Sequence, residues 1–280
     1  MNQKPILKFD KIGYWSEVKL DIIKDYAAAY SRILSGQTRP RFSHIYIDAF
    51  AGAGIHISRR TGEFVPGSPV HALHVQPPFH EYHLIDLDRN KVGSLRQIIG
   101  ERSDVQIYEG DCNPILLAQV FPRVRFEDYR RGLCLLDPYG LHLQWAVIAA
   151  AGQMRSLDIF INFPVADMNR NVLWHHPEDV NPTDIERMDS FWGDDTWRSI
   201  AYTTERSLFG FQEKVENEAV AEGFRTRLQQ VAGFKHVPQP LPMRNSRGAI
   251  VYYLFFASQK PVAANIVEDI FHKDQTHGAR

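Results

Sequence analysis

Five short apolar runs between residues 44 and 164, separated by helical patterns, constrain this chain more than any other feature of its sequence. They lie at residues 44–47, 82–87, 105–108, 133–136 and 157–163. Helical patterns fall between them at 68–76, 90–99, 114–120 and 143–154. Strands alternating with helices in this order predict a parallel α/β sheet. The run Leu133-Cys134-Leu135-Leu136 lacks polar alternation, as a strand buried on both faces requires. Ser68 followed by Pro69 reads as a helix start, with a side-chain acceptor and then proline at the first helical position.

Before the sheet, Val18, Ile22, Ile23, Tyr26, Tyr30, Ile33 and Leu34 recur at helical spacing, and Ser35-Gly36 ends that pattern. After residue 164 the pattern changes. Residues 165–233 hold three of the five tryptophans and paired histidines but no convincing strand, and read as a helical insertion. Residues 234–238 and 249–257 read as a strand pair, and 262–271 as a last helix. The expected division is an N-terminal helical segment (1–40), a sheet domain (41–165 with 234–280) and the insertion (166–233).

Composition narrows the class. The 280 residues are 44% hydrophobic and 23% charged, which excludes wholesale disorder. A chain of this length buries roughly three quarters of its surface, enough for a full core. No apolar run approaches the ~18 residues of a membrane span, and the first ten residues lack the apolar core of a secretion signal. Two cysteines, Cys112 and Cys134, cannot build a disulfide framework, and a reducing cytoplasm is expected. With 32 basic and 33 acidic residues the net charge is −1, less basic than a protein that coats a duplex. His71/His74 and His175/His176 lack the neighbours of a zinc site, so no metal is expected.

The chemistry concentrates in Tyr46-Ile47-Asp48-Ala49-Phe50-Ala51-Gly52-Ala53-Gly54. Asp48 ends a strand, and small residues then turn the chain toward a helix. Glycines at such a turn let the backbone approach a ligand. A dinucleotide fingerprint would need a third glycine at position 57, where Ile57 stands. Three more acidic strand ends follow: Asp86, with Asp88 beside it; Asp111, followed by Cys112; and Asp137-Pro138-Tyr139-Gly140. Ligands of open parallel sheets sit beyond these carboxyl ends. Taken singly, each carboxylate is more simply an N-cap or turn residue. Gathered on one sheet they point to a site.

The spacing Asp-x-Phe-x-Gly-x-Gly resembles motif I of S-adenosylmethionine (SAM) methyltransferases, in the phenylalanine-bearing form of amino-group methyltransferases. The strand order and closing strand pair resemble a class I methyltransferase, a Rossmann-like sheet. That resemblance implies cofactor contacts at Asp48, Phe50, Gly52, Gly54, Asp86, Asp111 and Cys112. Asp48 would face the methionine amino group, directly or through water, Asp86 the ribose hydroxyls, and Asp111 the adenine amino group. Asp137, Pro138 and Tyr139 resemble the D-P-P-Y acceptor motif with one proline missing, which implies catalytic positions that hold a target amine and stack on its base.

The whole chain, over roughly residues 8–273, resembles the three-Cys-motif partner (TcmP) family. The residues that carry this are the YWSEVKLDIIKDYAAAYSRIL helix, YIDAFAGAG, Gly67-Ser68-Pro69, LLDPYG, DIFINFP and NSRGAIVYYLFFAS. The resemblance implies a partner with a three-cysteine motif, of a kind that looks like a radical-SAM iron–sulfur protein.

The expected function is methyl transfer from SAM to an amino group, with DNA or RNA as the expected acceptor. Arg170, Trp174 and His175 in the insertion are candidate substrate contacts. Trp174, Trp192 and Trp197 are candidates for base stacking or for packing a small helical cap. Two other readings stay open: a non-catalytic interaction protein built on the same fold, and a methyltransferase for small molecules or peptides. The oligomeric state is left open.

Overall fold

The computed structural model describes residues 9–206 and 212–277. Residues 1–8, 207–211 and 278–280, parts of the expected N-terminal segment, insertion and closing segment, lie outside the described residues. The chain divides into two compact units, residues 1–135 with 269–280, and residues 136–268.

The first unit opens with β1 (Lys11–Ile12) and α1 (Tyr14–Ser35). Leu20, Ile22, Ile23, Tyr26, Ala27 and Tyr30 form the buried stripe of α1, at the spacing the sequence predicts. Next come β2 (Ser43–Asp48), the hairpin β3 (Ile55–Ser58) and β4 (Phe64–Pro66), and α2 (Ser68–Leu73). Then follow β5 (Glu81–Asp86), α3 (Arg89–Ile99), β6 (Val105–Glu109), α4 (Cys112–Ile115) and β7 (Arg130–Leu136), whose last residue opens the second unit. The order β7-β2-β5-β6 is parallel at every pairing. Tyr46 of β2 stands between Leu133 of β7 and Tyr82 of β5, and all three are fully buried. Strands β1, β3 and β4 form a separate small sheet. The excursion between the glycine turn and α2 is therefore a β-hairpin.

The second unit holds α5 (Trp145–Met154), β8 (Leu157–Phe163), α6 (Val165–Asn171), α7 (Pro182–Trp192), α8 (Trp197–Ala201), β9 (Tyr202–Arg206), β10 (Gln212–Lys214) and α9 (Asn217–Gln230). It closes with β11 (Leu241–Arg244), β12 (Ile250–Ala257) and the first part of α10 (Pro261–His277), whose second part, from Asp269, belongs to the first unit. β12 runs antiparallel to both β8 and β11. The fold is thus α/β, with a mostly parallel central sheet and an antiparallel C-terminal strand pair, as the sequence predicts.

Three local expectations change. The first strand of the closing pair is residues 241–244, while the 234–238 stretch makes one isolated bridge, His236 to Ser258. The predicted 114–120 helix begins at Cys112 and loosens into a π-turn over Leu116–Val120. The 166–233 segment is mostly helical but also carries the antiparallel β9–β10 pair. Trp192 and Trp197 do not face solvent: both are fully buried, and Trp192 packs 5.7 Å from Phe224. Phe224 also meets Phe163, Phe191 and Phe255, so these rings form the unit's aromatic core.

Candidate functional site

In the first unit the glycine turn leaves the end of β2 and is held from three sides. The Ala51 amide donates to the Ile85 carbonyl at 2.8 Å, at the end of β5. The Gly52 amide donates to Oδ2 of Asp86 at 2.8 Å. Where the chain leaves for the hairpin and returns, the Gly67 amide donates to the Gly54 carbonyl at 2.8 Å. Gly52 and Gly54 have φ of +66° and +83°, which side chains with a Cβ rarely adopt. A Cβ on Gly54 would also stand 2.8 Å from Cδ1 of Leu95 in α3. This turn is a cradle that larger residues would fill.

Asp48 lies behind the cradle. It is fully buried, and Oδ2 accepts from the Ser68 hydroxyl at 2.6 Å and the Tyr46 hydroxyl at 3.3 Å. Oδ1 accepts from the Phe50 amide at 3.2 Å. Burial, and then the Asp48 charge, push both the Tyr46 phenol and the Cys134 thiol up from their ordinary values. In this structure the Asp48 carboxylate organises the turn. The expected N-cap Ser68 is instead the first residue of α2, with Gly67 as the cap, and its hydroxyl serves Asp48. This explains in physical terms why Gly-Ser-Pro accompanies the glycine turn. Replacing Ser68 with alanine leaves a buried carboxylate short of one donor. A loss of about 1.5–3 kcal/mol in denaturant-derived stability is expected; a change under about 0.5 kcal/mol would show that Ser68 does not hold Asp48.

Asp86 is half-buried and also grips the turn. Its Oδ1 accepts from the Asp88 amide at 2.8 Å, and both oxygens retain lone pairs for ligand hydroxyls. Asp88 itself caps α3, accepting from the amides of Asn90 and Lys91. Asp111 caps α4 and accepts from the amide and side chain of Asn113. Cys112 is buried, and burial first, then the charges of Asp111 and Asp86, push its thiol up to about 12. It remains protonated at neutral pH. Phe50 is half-buried beside the turn. Leu87, which sequence reasoning missed, is 75% exposed directly after Asp86. A lone exposed leucine is ordinary, but here it offers an apolar surface next to the acid.

In the second unit, Asp137 is half-buried, Pro138 is buried and Tyr139 is 73% exposed. The Pro138 carbonyl accepts from Nδ2 of Asn162 at 3.0 Å, which fixes the orientation of that amide. Asn162 is buried, and its Oδ1 has no hydrogen-bond partner among the described residues. A polar residue inside the apolar run of β8 was the signal for it. Gly140 stands against Asp167 of α6: a Cβ there would lie 2.8 Å from the carboxylate. Among the insertion candidates, the Trp174 indole donates to the Arg170 carbonyl at 2.7 Å, and Tyr202 donates to the Trp174 carbonyl. Arg170, Trp174 and His175 are all exposed.

Among the described residues no group of three or more His, Cys, Asp or Glu is placed to hold a metal ion. Among the described residues no helix is long and apolar enough to cross a membrane. No protein-family model matches the chain, and no curated protein matches it. Solved structures do. A Legionella pneumophila protein of the DUF519 family model is similar at 14% identity and TM-score 0.52, over 89% of each chain. A proposed methyltransferase from Thermobifida fusca is similar at 14% identity and TM-score 0.43, over 86% of this chain and 81% of that one. The N-methyltransferase NodS from Bradyrhizobium japonicum is similar at 11% identity and TM-score 0.36, over 86% and 98%. The Legionella likeness is one of fold alone.

Proposed function

We propose that this protein is a SAM-dependent methyltransferase that acts on an amino group, with nucleic acid as the acceptor. The observation that carries the reading is the Gly52 amide on Asp86, which brings the glycine turn and an acidic strand end together in the first unit. The residues fit an adenosyl cofactor: Gly52 leaves room for it while Gly54 lets the turn pack against Leu95, Asp86 would accept ribose hydroxyls, and Leu87 offers an apolar face to the base. Asp111 and Cys112 border the same strand ends. When bound, SAM would supply an electrophilic methyl group. Asp137 would accept a hydrogen of the target amine and, as the methyl is gained, the proton that the nitrogen sheds. The buried Oδ1 of Asn162 is a further acceptor, and the exposed Tyr139 ring is a stacking surface. Arg170, Trp174 and His175 would select the acceptor.

The family resemblance adds a three-Cys-motif partner protein, and the two free cysteines fit a cytoplasmic location, where they stay reduced. Calorimetry with SAM and S-adenosylhomocysteine tests the cofactor. No heat and no thermal shift with either would defeat the reading. Given binding, Asp137→Ala should lower turnover about 100-fold while SAM affinity changes less than about threefold, because the carboxylate acts on the acceptor in the transition state. Equal losses of both would make Asp137 a cofactor or structural residue.

A further inference from the structure

The net charge of −1 hides an uneven distribution in the first unit. The carboxyl ends of β2, β5 and β6 carry Asp48, Asp86, Glu109 and, just beyond, Asp111. The opposite ends, where β2 and β7 begin, carry arginine. Two copies of one tetrapeptide pattern meet there: Arg39-Pro40-Arg41-Phe42 leads into β2, and Arg123-Val124-Arg125-Phe126 precedes β7.

Hydrogen bonds and ring contacts join the two segments into one surface. The Ser43 amide donates to the Tyr129 carbonyl at 3.1 Å, and β2 and β7 start in register as Ser43 with Arg130. The Arg131 guanidinium lies 3.9 Å from the Phe126 ring centre and 4.8 Å from that of Phe42. Phe42 in turn meets the Tyr129 ring edge-on at 6.2 Å. Phe126 is 39% and Tyr129 52% exposed. Tyr129 sits at φ +55°, a backbone region that a bulky residue occupies at a cost, and one that is found where a side chain is presented for use.

Six guanidinium groups lie in these segments, and two carboxylates, Glu81 and Asp128, pair with them. Glu81 is shared by Arg130 at 2.6 Å and Arg123 at 3.8 Å, and Asp128 lies 3.7 Å from Arg125. Arg39 and Arg41 are exposed, and neither makes an ion pair with a carboxylate among the described residues. Guanidinium groups in excess bind phosphate, and exposed rings held beside them are platforms for unpaired bases. An acidic protein segment would need the charges but not the rings.

We propose that this surface, at the end of the strands opposite the candidate site, binds single-stranded nucleic acid through phosphates on Arg39 and Arg41 and a base stacked on Tyr129. The inference bears on the substrate class proposed above but does not rest on methyl transfer.

The test is fluorescence anisotropy of the full chain with a labelled single-stranded oligoribonucleotide, and with DNA of the same sequence, over a range of salt and without SAM. The parent should bind, with affinity falling as salt rises. Arg39→Gln with Arg41→Gln should reduce the slope of log affinity against log salt by about 1.4, at about 0.7 per lost phosphate contact on a single strand. Tyr129→Gly should weaken binding about tenfold with the slope unchanged. Glycine accepts φ +55° without strain, so this variant keeps its fold, and thermal unfolding checks that it does. Absence of binding to both oligonucleotides overturns the proposal, as does binding that both variants leave untouched. If polyglutamate displaces the oligonucleotide and Tyr129→Gly binds like the parent, the surface reads acidic protein and the proposal is wrong. Failure of SAM binding in calorimetry would defeat the transferase reading and leave this measurement intact.

Discussion

Replacing Asp86 with alanine should lower affinity for SAM by roughly 10²- to 10³-fold and make the protein measurably less stable. Two charge-assisted hydrogen bonds are removed at once, one to the Gly52 amide and one to the Asp88 amide, each 2.8 Å long. Such bonds contribute about 1.5–3 kcal/mol each. The first anchors the glycine turn, so its loss loosens the cradle as well as removing the acceptor for ribose hydroxyls. Asp86→Asn should do little better. An asparagine side chain offers one oxygen where two amide donors need one each, and its NH2 group then faces a donor. Asp88→Ala is the control. It removes only the cap of α3, for which about 1 kcal/mol of stability is the expected loss, and SAM affinity should hold within about threefold. Calorimetric affinity of the Asp86→Ala variant within threefold of the parent would mean that Asp86 neither holds the turn nor meets the cofactor.

This bond shows why the site was only partly legible. The carboxylates at strand ends can be read because strands, turns and acids are local patterns. That Asp86 grips Gly52, 34 positions earlier, follows from the parallel pairing of β2 with β5 and from no spacing in the sequence. Asp48 shows the limit from the other side. Its position at the end of a strand is plain in the sequence, but its burial under Ser68 and Tyr46 depends on where the chain returns after the hairpin. A serine in a good N-cap context looks local, and its bond to a carboxylate 20 residues back is not.

The strands that were missed have their own reasons. β9 and β10 contain mostly polar residues, so no apolar alternation announces them, and their pairing is antiparallel and short. β11 carries Pro242, which lacks a ladder donor and is tolerated because β11 is an edge strand of the sheet order. Phe234 and Val237 are buried and apolar, which made their stretch look like a strand, yet they pack without a ladder around the single His236–Ser258 bridge. Apolar burial and strand pairing are separate facts, and pattern reading measures the first.

Acid should destabilise the first unit by about 5 kcal/mol between pH 6.5 and pH 4, through two histidines that the fold keeps neutral. His44 and His83 are both fully buried. The Ser31 hydroxyl donates to the Pro77 carbonyl, so the His44 imidazole donates from Nε2 to Ser31 at 2.8 Å. The Tyr108 hydroxyl donates to Gln106, so His83 donates from Nδ1 to Tyr108 at 3.0 Å. Burial lowers both imidazoles from 6.5 to about 4; nearby His80 adds to the effect at His44, and Glu81 partly opposes it at His83. Between those pH values the unfolded chain takes up a proton at each ring, and the folded chain does so only as the pH nears 4. Stability therefore falls as pH falls, by about 1.4 kcal/mol per pH unit for each histidine while that inequality lasts. Urea unfolding at intervals from pH 7 to pH 4 measures the slope. His44→Gln with His83→Gln should flatten it above about pH 5.5, where depressed carboxylates such as Glu81 have not yet begun to contribute. An unchanged slope in that double variant would show that the acid sensitivity comes from other groups and that these rings take up protons in the folded state.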